Sequence, residues 1–136
     1  MQNEVKKITR LVDEVTSLLM RSGSNDINVR IKRDSELSTI TIIDYNSAYP
    51  DDEISSLNDV LNIQRQCEVE EFYWELMGDD SHEDELFLVG SMVDKATVNK
   101  IDKDLHIVMY RCLTSKLYWS KYNNYIKIKR LTSIRS

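Results

Sequence analysis

The side chains with which this sequence could do chemistry are two histidines, two cysteines and an excess of carboxylates. His82 stands in the run Gly78-Asp79-Asp80-Ser81-His82-Glu83-Asp84-Glu85, where an imidazole and several carboxylates could meet a cation. The spacing fits no calcium loop, which needs a glycine at its bend and a distant glutamate, so a solvated acidic loop is expected. His106 sits in an alternating run and reads as a strand-face residue. Cys67 and Cys112 are far apart and match no metal-ligand spacing; in a reducing compartment both are expected to be thiols. Glu14 and Asp44 could form a carboxylate pair for acid–base work, but no His, Lys or metal accompanies them. The plain reading makes them a helix acid and a turn former at a strand end. The chain contains no serine-nucleophile elbow, no phosphate-binding P-loop, no GxGxxG, no CxxC and no HExxH. The expectation is a domain without catalysis, metal or cofactor.

Aromatic residues offer a different kind of site. Phe72, Tyr73 and Trp74 are consecutive, and three neighbours cannot share one face of a helix. At least one should be exposed, and exposed aromatics mark contact surfaces. Tyr73, Trp74 and Trp119 are therefore the candidate partner-binding residues, against the plainer reading that they pack in the core or dock the tail on the body. Six of the 18 Lys and Arg residues fall from Lys116 onward, where there is no acid, leaving 12 against 23 acidic residues in the rest. An acidic body repels nucleic acid and anionic membrane. The tail, with Tyr118, Trp119, Tyr122 and Tyr125 among lysines, could stack on single-stranded nucleic acid or fold back on the acidic body, and charge favours the second. A protein partner or self-association is expected, rather than nucleic acid or membrane.

The elements that must position these residues follow from periodicity. With 136 residues, 41% apolar and 30% charged, the chain has the composition of one globular domain. It has no apolar run of spanning length, and its start lacks the pattern of a signal peptide, so a cytoplasmic address is expected. Val5, Ile8, Val12, Val15 and Leu19 recur at steps of three and four, predicting a helix over Asn3 to Ser22 that Gly23 ends. Ile27, Val29 and Ile31 alternate with polar residues, and Ser38 to Asp44 is β-branched, so Asp34-Ser35-Glu36 reads as a hairpin turn. A loop holds the sole proline, Pro50, and helices are expected over Asp52 to Gln66, Val69 to Met77 and Glu83 to Ala96. Thr97 to Asp102 and Leu105 to Tyr110 form a second hairpin about Lys103-Asp104, and Tyr125 to Lys129 is a possible tail strand. This order predicts an α+β two-layer sandwich, its sheet mixed but mostly antiparallel, with helices on one face. Residues 1–113 would form the domain and residues 114–136 a basic, aromatic tail.

The element order, with its residues, resembles the GHKL superfamily of gyrase-type and histidine-kinase-type ATP-binding domains, and most of all the small anti-sigma-factor serine kinases. The resemblance covers about residues 4–112. In that family the long helix carries a Glu and, four residues on, an Asn that holds magnesium. Glu14-Val15-Thr16-Ser17-Leu18 is similar, with Leu18 at the Asn position. The family's Asp-x-Gly-x-Gly, whose Asp reads the adenine amino group, is matched by Asp44-Tyr45-Asn46-Ser47-Ala48, which keeps the Asp and lacks both glycines. A glycine-rich, phosphate-wrapping turn is matched by Glu83-Asp84-Glu85-Leu86-Phe87. Phosphate needs close backbone approach and positive complement. Carboxylates there repel it by about 1 kcal/mol each even in water. The resemblance therefore implies a Bergerat-like fold with a remnant nucleotide pocket at Glu14, Asp44 and Asn46, and a regulatory role without ATP hydrolysis. An anti-sigma-factor-like nucleotide-binding serine kinase, and nucleic-acid binding by the tail, are the alternatives.

Overall fold

Over the residues that the computed structural model describes, 3–63, 65 and 83–113, the expected first helix is α1, Glu4–Arg21. Ile8, Leu11, Val15 and Leu19 form its buried stripe. It ends where Gly23 takes a left-handed φ of 107°. The Gly23 and Ser24 amides then turn back to Met20 and Leu19 carbonyls, each at 3.0 Å, which satisfies the orphan acceptors of the last turn. Strand β1, Ile27–Arg33, and strand β2, Leu37–Asp44, form the first hairpin. Its turn is held by the Asp34 carboxylate, which accepts from the amides of Glu36 and Leu37 at 2.9 and 2.8 Å. A 3-10 turn, Asp51–Glu53, leads into α2, Ile54–Leu61. Helix α3, Glu83–Ser91, is followed by β3, Lys95–Ile101, and β4, Asp104–Cys112.

The strands form one four-stranded antiparallel sheet in the order β1-β2-β4-β3, and with the three helices they make an α+β fold. Every pairing among the described strands is antiparallel, so the sheet there is not mixed as the sequence suggested. The two hairpins meet at the centre, with Ile40 opposite Met109 and Ile42 opposite Ile107. Period-two alternation sends Ile40, Ile42, Leu105, Ile107 and Met109 to one face, where they join α1, Leu57 and Leu61 of α2, and Val89 of α3 in a single core. All three helices therefore cover the same face. The opposite face carries half-buried Thr39, Thr41, Ile43, His106, Val108 and Tyr110. His106 is thus a strand-face residue, as its alternation predicts.

Two helix ends differ from the periodicity, each for a tertiary reason. Helix α2 stops at Leu61 rather than Gln66 because Asn62 turns its side chain to β3. The amide of Asn62 donates to the Ala96 carbonyl at 2.8 Å and accepts from the Ala96 N–H at 2.9 Å, as a neighbouring strand would. Helix α3 stops at Ser91 rather than Ala96, because Ala96 is already a strand residue opposite Met109. Between them, buried Asp94 accepts from the Cys112 amide at 2.6 Å and from Arg65 Nη1 at 2.7 Å. Gly90 lets α3 lie against α2, since a Cβ there would fall within the van der Waals radius of the Val60 carbonyl oxygen. At the far end of the sheet Arg111, fully buried, grips Glu4 through two bonds of 2.7 and 2.8 Å, anchoring the start of α1 to β4.

Candidate functional site

Asp44, the last residue of β2, is the candidate site residue that the structure buries most completely, at 0% exposure. Its position in the alternation puts the carboxylate on the helix-covered side, between Ile27 of β1 and Leu105 of β4. Oδ2 accepts from Ser24 Oγ and Ser47 Oγ, both at 2.6 Å. Oδ1 is buried and has no hydrogen-bond partner among the described residues. The corner that follows is stitched in place. Ser47 donates its amide to the Lys103 carbonyl at 2.8 Å, and its hydroxyl accepts from the Tyr49 amide at 3.1 Å. The Asn46 amide donates to Asp104 Oδ1 at 2.8 Å, and Asn46 takes a left-handed φ of 50°, which asparagine tolerates better than most residues. Ala48 packs its methyl 3.4 Å from where a side chain on Gly23 would begin. Strand end, helix end and second hairpin turn thus converge on one carboxylate.

Glu14 is buried as well, on the flank of the α1 stripe. It lies seven positions, about two turns, before the end of α1 at Arg21. Asp44 takes its hydrogen bonds from Ser24 and Ser47. Asn46 is exposed, and its backbone rather than its amide side chain holds the corner. Leu18 packs against the core. Tyr73, Trp74 and Trp119 lie outside the described residues, as do His82, Cys67, the Val69 to Met77 helix and the basic tail. Cys112 carries a buried thiol.

Tyr49, just past the corner, is buried in the core, and this burial, with the Glu53 carboxylate second, holds its phenol above the ordinary value of 10. A separate open cleft of about 920 Å³ lies between α2 and β3, lined by Ser55, Asn58, Asn62, Thr97, Asn99 and Lys100 among others. None of Glu14, Asp44 or Asn46 lines it. Among the described residues it carries amides, hydroxyls and the charged Asp94 and Lys95, with Lys100 paired to Asp51 at its rim. Among the described residues no group of three His, Cys, Asp or Glu side chains is placed to hold a metal ion. No described helix is long and apolar enough to cross a membrane.

Ser24 and Ser47 are the site residues that sequence reasoning passed over. Each sits in a stretch read only as a stop or a loop, and serine is common in both. The signal was their place on either side of an apolar hairpin ending in an acid, which brings them together only once the helix returns along the sheet. No protein-family model matches this chain, and no curated protein is significantly similar to it.

Proposed function

We propose that this chain is a non-catalytic regulatory domain that binds a protein partner, built on a histidine-kinase-type ATPase-like fold that has lost its ATP and magnesium motifs. The observation that carries the reading is the Asp44 corner. Asn46 stands at the first glycine position of the family motif and keeps the left-handed backbone a glycine would have. Ala48, at the second, fills its space with a methyl against the end of α1. The carboxylate oxygen Oδ2 already receives two internal hydroxyls. The succession of long helix, hairpin, helices and closing hairpin supports the same ancestry. Leu18, where the family has its magnesium-holding Asn, offers only methyl groups to the core. Without that ion, the sequence Glu83-Asp84-Glu85, matched to the family's glycine-rich turn, supplies acid where a triphosphate needs positive complement.

One observation favours a second reading, a purine pocket without phosphate chemistry: buried Oδ1 of Asp44 lacks a hydrogen-bond partner among the described residues and would suit an amino group. Calorimetric titration of the full chain separates the two. The first reading expects no micromolar binding of ATP with magnesium or of adenosine. Adenosine binding that Asp44→Asn abolishes establishes the second. Micromolar binding of ATP that depends on magnesium overturns both and favours a serine kinase of the anti-sigma-factor kind.

A further inference from the structure

We infer that β1 is a self-complementary docking edge through which two copies of this chain pair antiparallel, joining their sheets into one. The inference does not depend on what the Asp44 corner binds. It starts from the phase of the hairpin ladder. Tyr45 N–H donates to the Asp26 carbonyl at 2.9 Å, and Asp34 N–H donates to the Leu37 carbonyl at 3.0 Å. In an antiparallel pair, residues facing the partner alternate with residues facing away. Asp26, Asn28, Arg30 and Lys32 therefore spend their backbone groups on β2, while Ile27, Val29 and Ile31 turn N–H and C=O outward. β1 is a terminal strand of the sheet, and no described residue takes those outward groups. Its inward-facing side chains are not covered either, since Val29 is 38% and Ile31 42% exposed although both lie on the helix side. Long flat edges with apolar side chains are templates for another strand.

The sequence of β1 selects the occupant and the register. With a two-fold axis through Val29, Val29 meets its own copy, Ile27 meets Ile31, Asn28 meets Arg30, and Asp26 meets Lys32. The outward backbone groups at 27, 29 and 31 fall into register as roughly six inter-chain hydrogen bonds. All apolar pairs lie on the helix side and all polar pairs on the open side, with opposite charges facing each other twice by symmetry. Moving the axis to Ile31 sets Arg30 against Lys32 and Val29 against Arg33. Moving it to Ile27 sets Val29 against Asn25. An axis at Asn28 keeps Asp26 against Arg30 but sets Ile31 against Asn25, and one at Arg30 sets Arg30 against its own copy, so the Val29 register alone pairs all of Ile27, Val29 and Ile31 with one another while opposite charges face.

Sedimentation of the full chain over a concentration series tests this, and the expected species has twice the 16.0 kDa chain mass. Val29→Pro deletes an N–H that points away from β2, so the intramolecular ladder survives and the dimer is lost. Asp26→Lys places like charges opposite Lys32 at two symmetric positions and raises the dissociation constant about tenfold. The swap of Asp26→Lys with Lys32→Asp restores it, which a merely structural role for either residue does not predict. Should Val29→Pro fail to fold by circular dichroism, the charge swap still reads the interface. A monomer at every concentration, whether because the chain's own tail or another protein takes the edge, overturns the inference. So does a dimer indifferent to these substitutions.

Discussion

Asp44→Asn isolates what the buried carboxylate does. The side chain is nearly isosteric, so the corner keeps its shape, and its remaining oxygen can still accept from Ser24 and Ser47. Hydrogen bonds to a charged acceptor contribute about 1.5–3 kcal/mol and neutral ones about 1. Two bonds weakened from the first class to the second lose about 2 kcal/mol. The new NH₂ group replaces Oδ1, where no described residue offers an acceptor, and an unsatisfied buried donor adds about 1 kcal/mol or more. Releasing the buried charge from a low-dielectric site returns part of this. The expected net loss is about 2 kcal/mol, or a fall in Tm of about 6–8 °C for a domain of this size. Urea unfolding followed by circular dichroism measures it. Ser24→Ala and Ser47→Ala should each cost about 2 kcal/mol alone and about 1 kcal/mol in the Asp44→Asn background, because neighbours on one acceptor are coupled. An unchanged urea midpoint for Asp44→Asn, with strictly additive serine effects, refutes the reasoning that the carboxylate organises the corner.

Three further outcomes are expected. Gly90→Ala forces a Cβ into the Val60 carbonyl, and since backbone cannot swing aside, unfolding free energy should fall by about 3 kcal/mol, more than for a typical helix Gly→Ala change, which stabilises. Glu4→Ala leaves the fully buried Arg111 guanidinium without its bidentate partner and should cost about 3–5 kcal/mol, measured by urea unfolding against Glu4→Gln, which keeps one acceptor and costs less. Tyr49 contributes stability that is whole below pH 10 and declines as pH rises through and beyond it, because the unfolded chain ionises its phenol before the folded chain does. Tyr49→Phe should therefore flatten the fall in urea midpoint between pH 9 and 11; an unchanged alkaline slope sinks this account.

The elements were legible wherever a signal is local. The three-and-four spacing of Ile8, Leu11, Val15 and Leu19 marks α1, and the alternations mark the hairpins about Asp34 to Glu36 and about a second turn expected at Lys103-Asp104 and found one residue earlier, at Asp102-Lys103. The pairing of β2 with β4 was not legible, because Ile40 and Met109 are distant in the chain and nothing in either run names the other. The helix ends were missed where a side chain abandons its own helix for a strand, as Asn62 does, or where a buried acid takes over, as Asp94 does. At the site, the acid at the strand end was visible as Asp44, while the two serines that hold it come from separate segments joined only by the fold. The buried charges Glu4, Lys7 and Glu14 could have been suspected, since helical spacing puts them on the stripe of Leu11 and Leu18.

The carboxamide of Asn62 has a bearing on how far such sheets can extend. By satisfying both backbone groups of Ala96, and with the Lys100–Asp51 pair clasped across the same border, α2 blunts the β3 margin that another strand would need. A chain with two receptive margins can add copies head to tail without limit, whereas one receptive margin closes after a single addition. Asn62→Ala, which frees both backbone groups of Ala96 at this margin, should therefore be read for turbidity and thioflavin fluorescence as well as for stability.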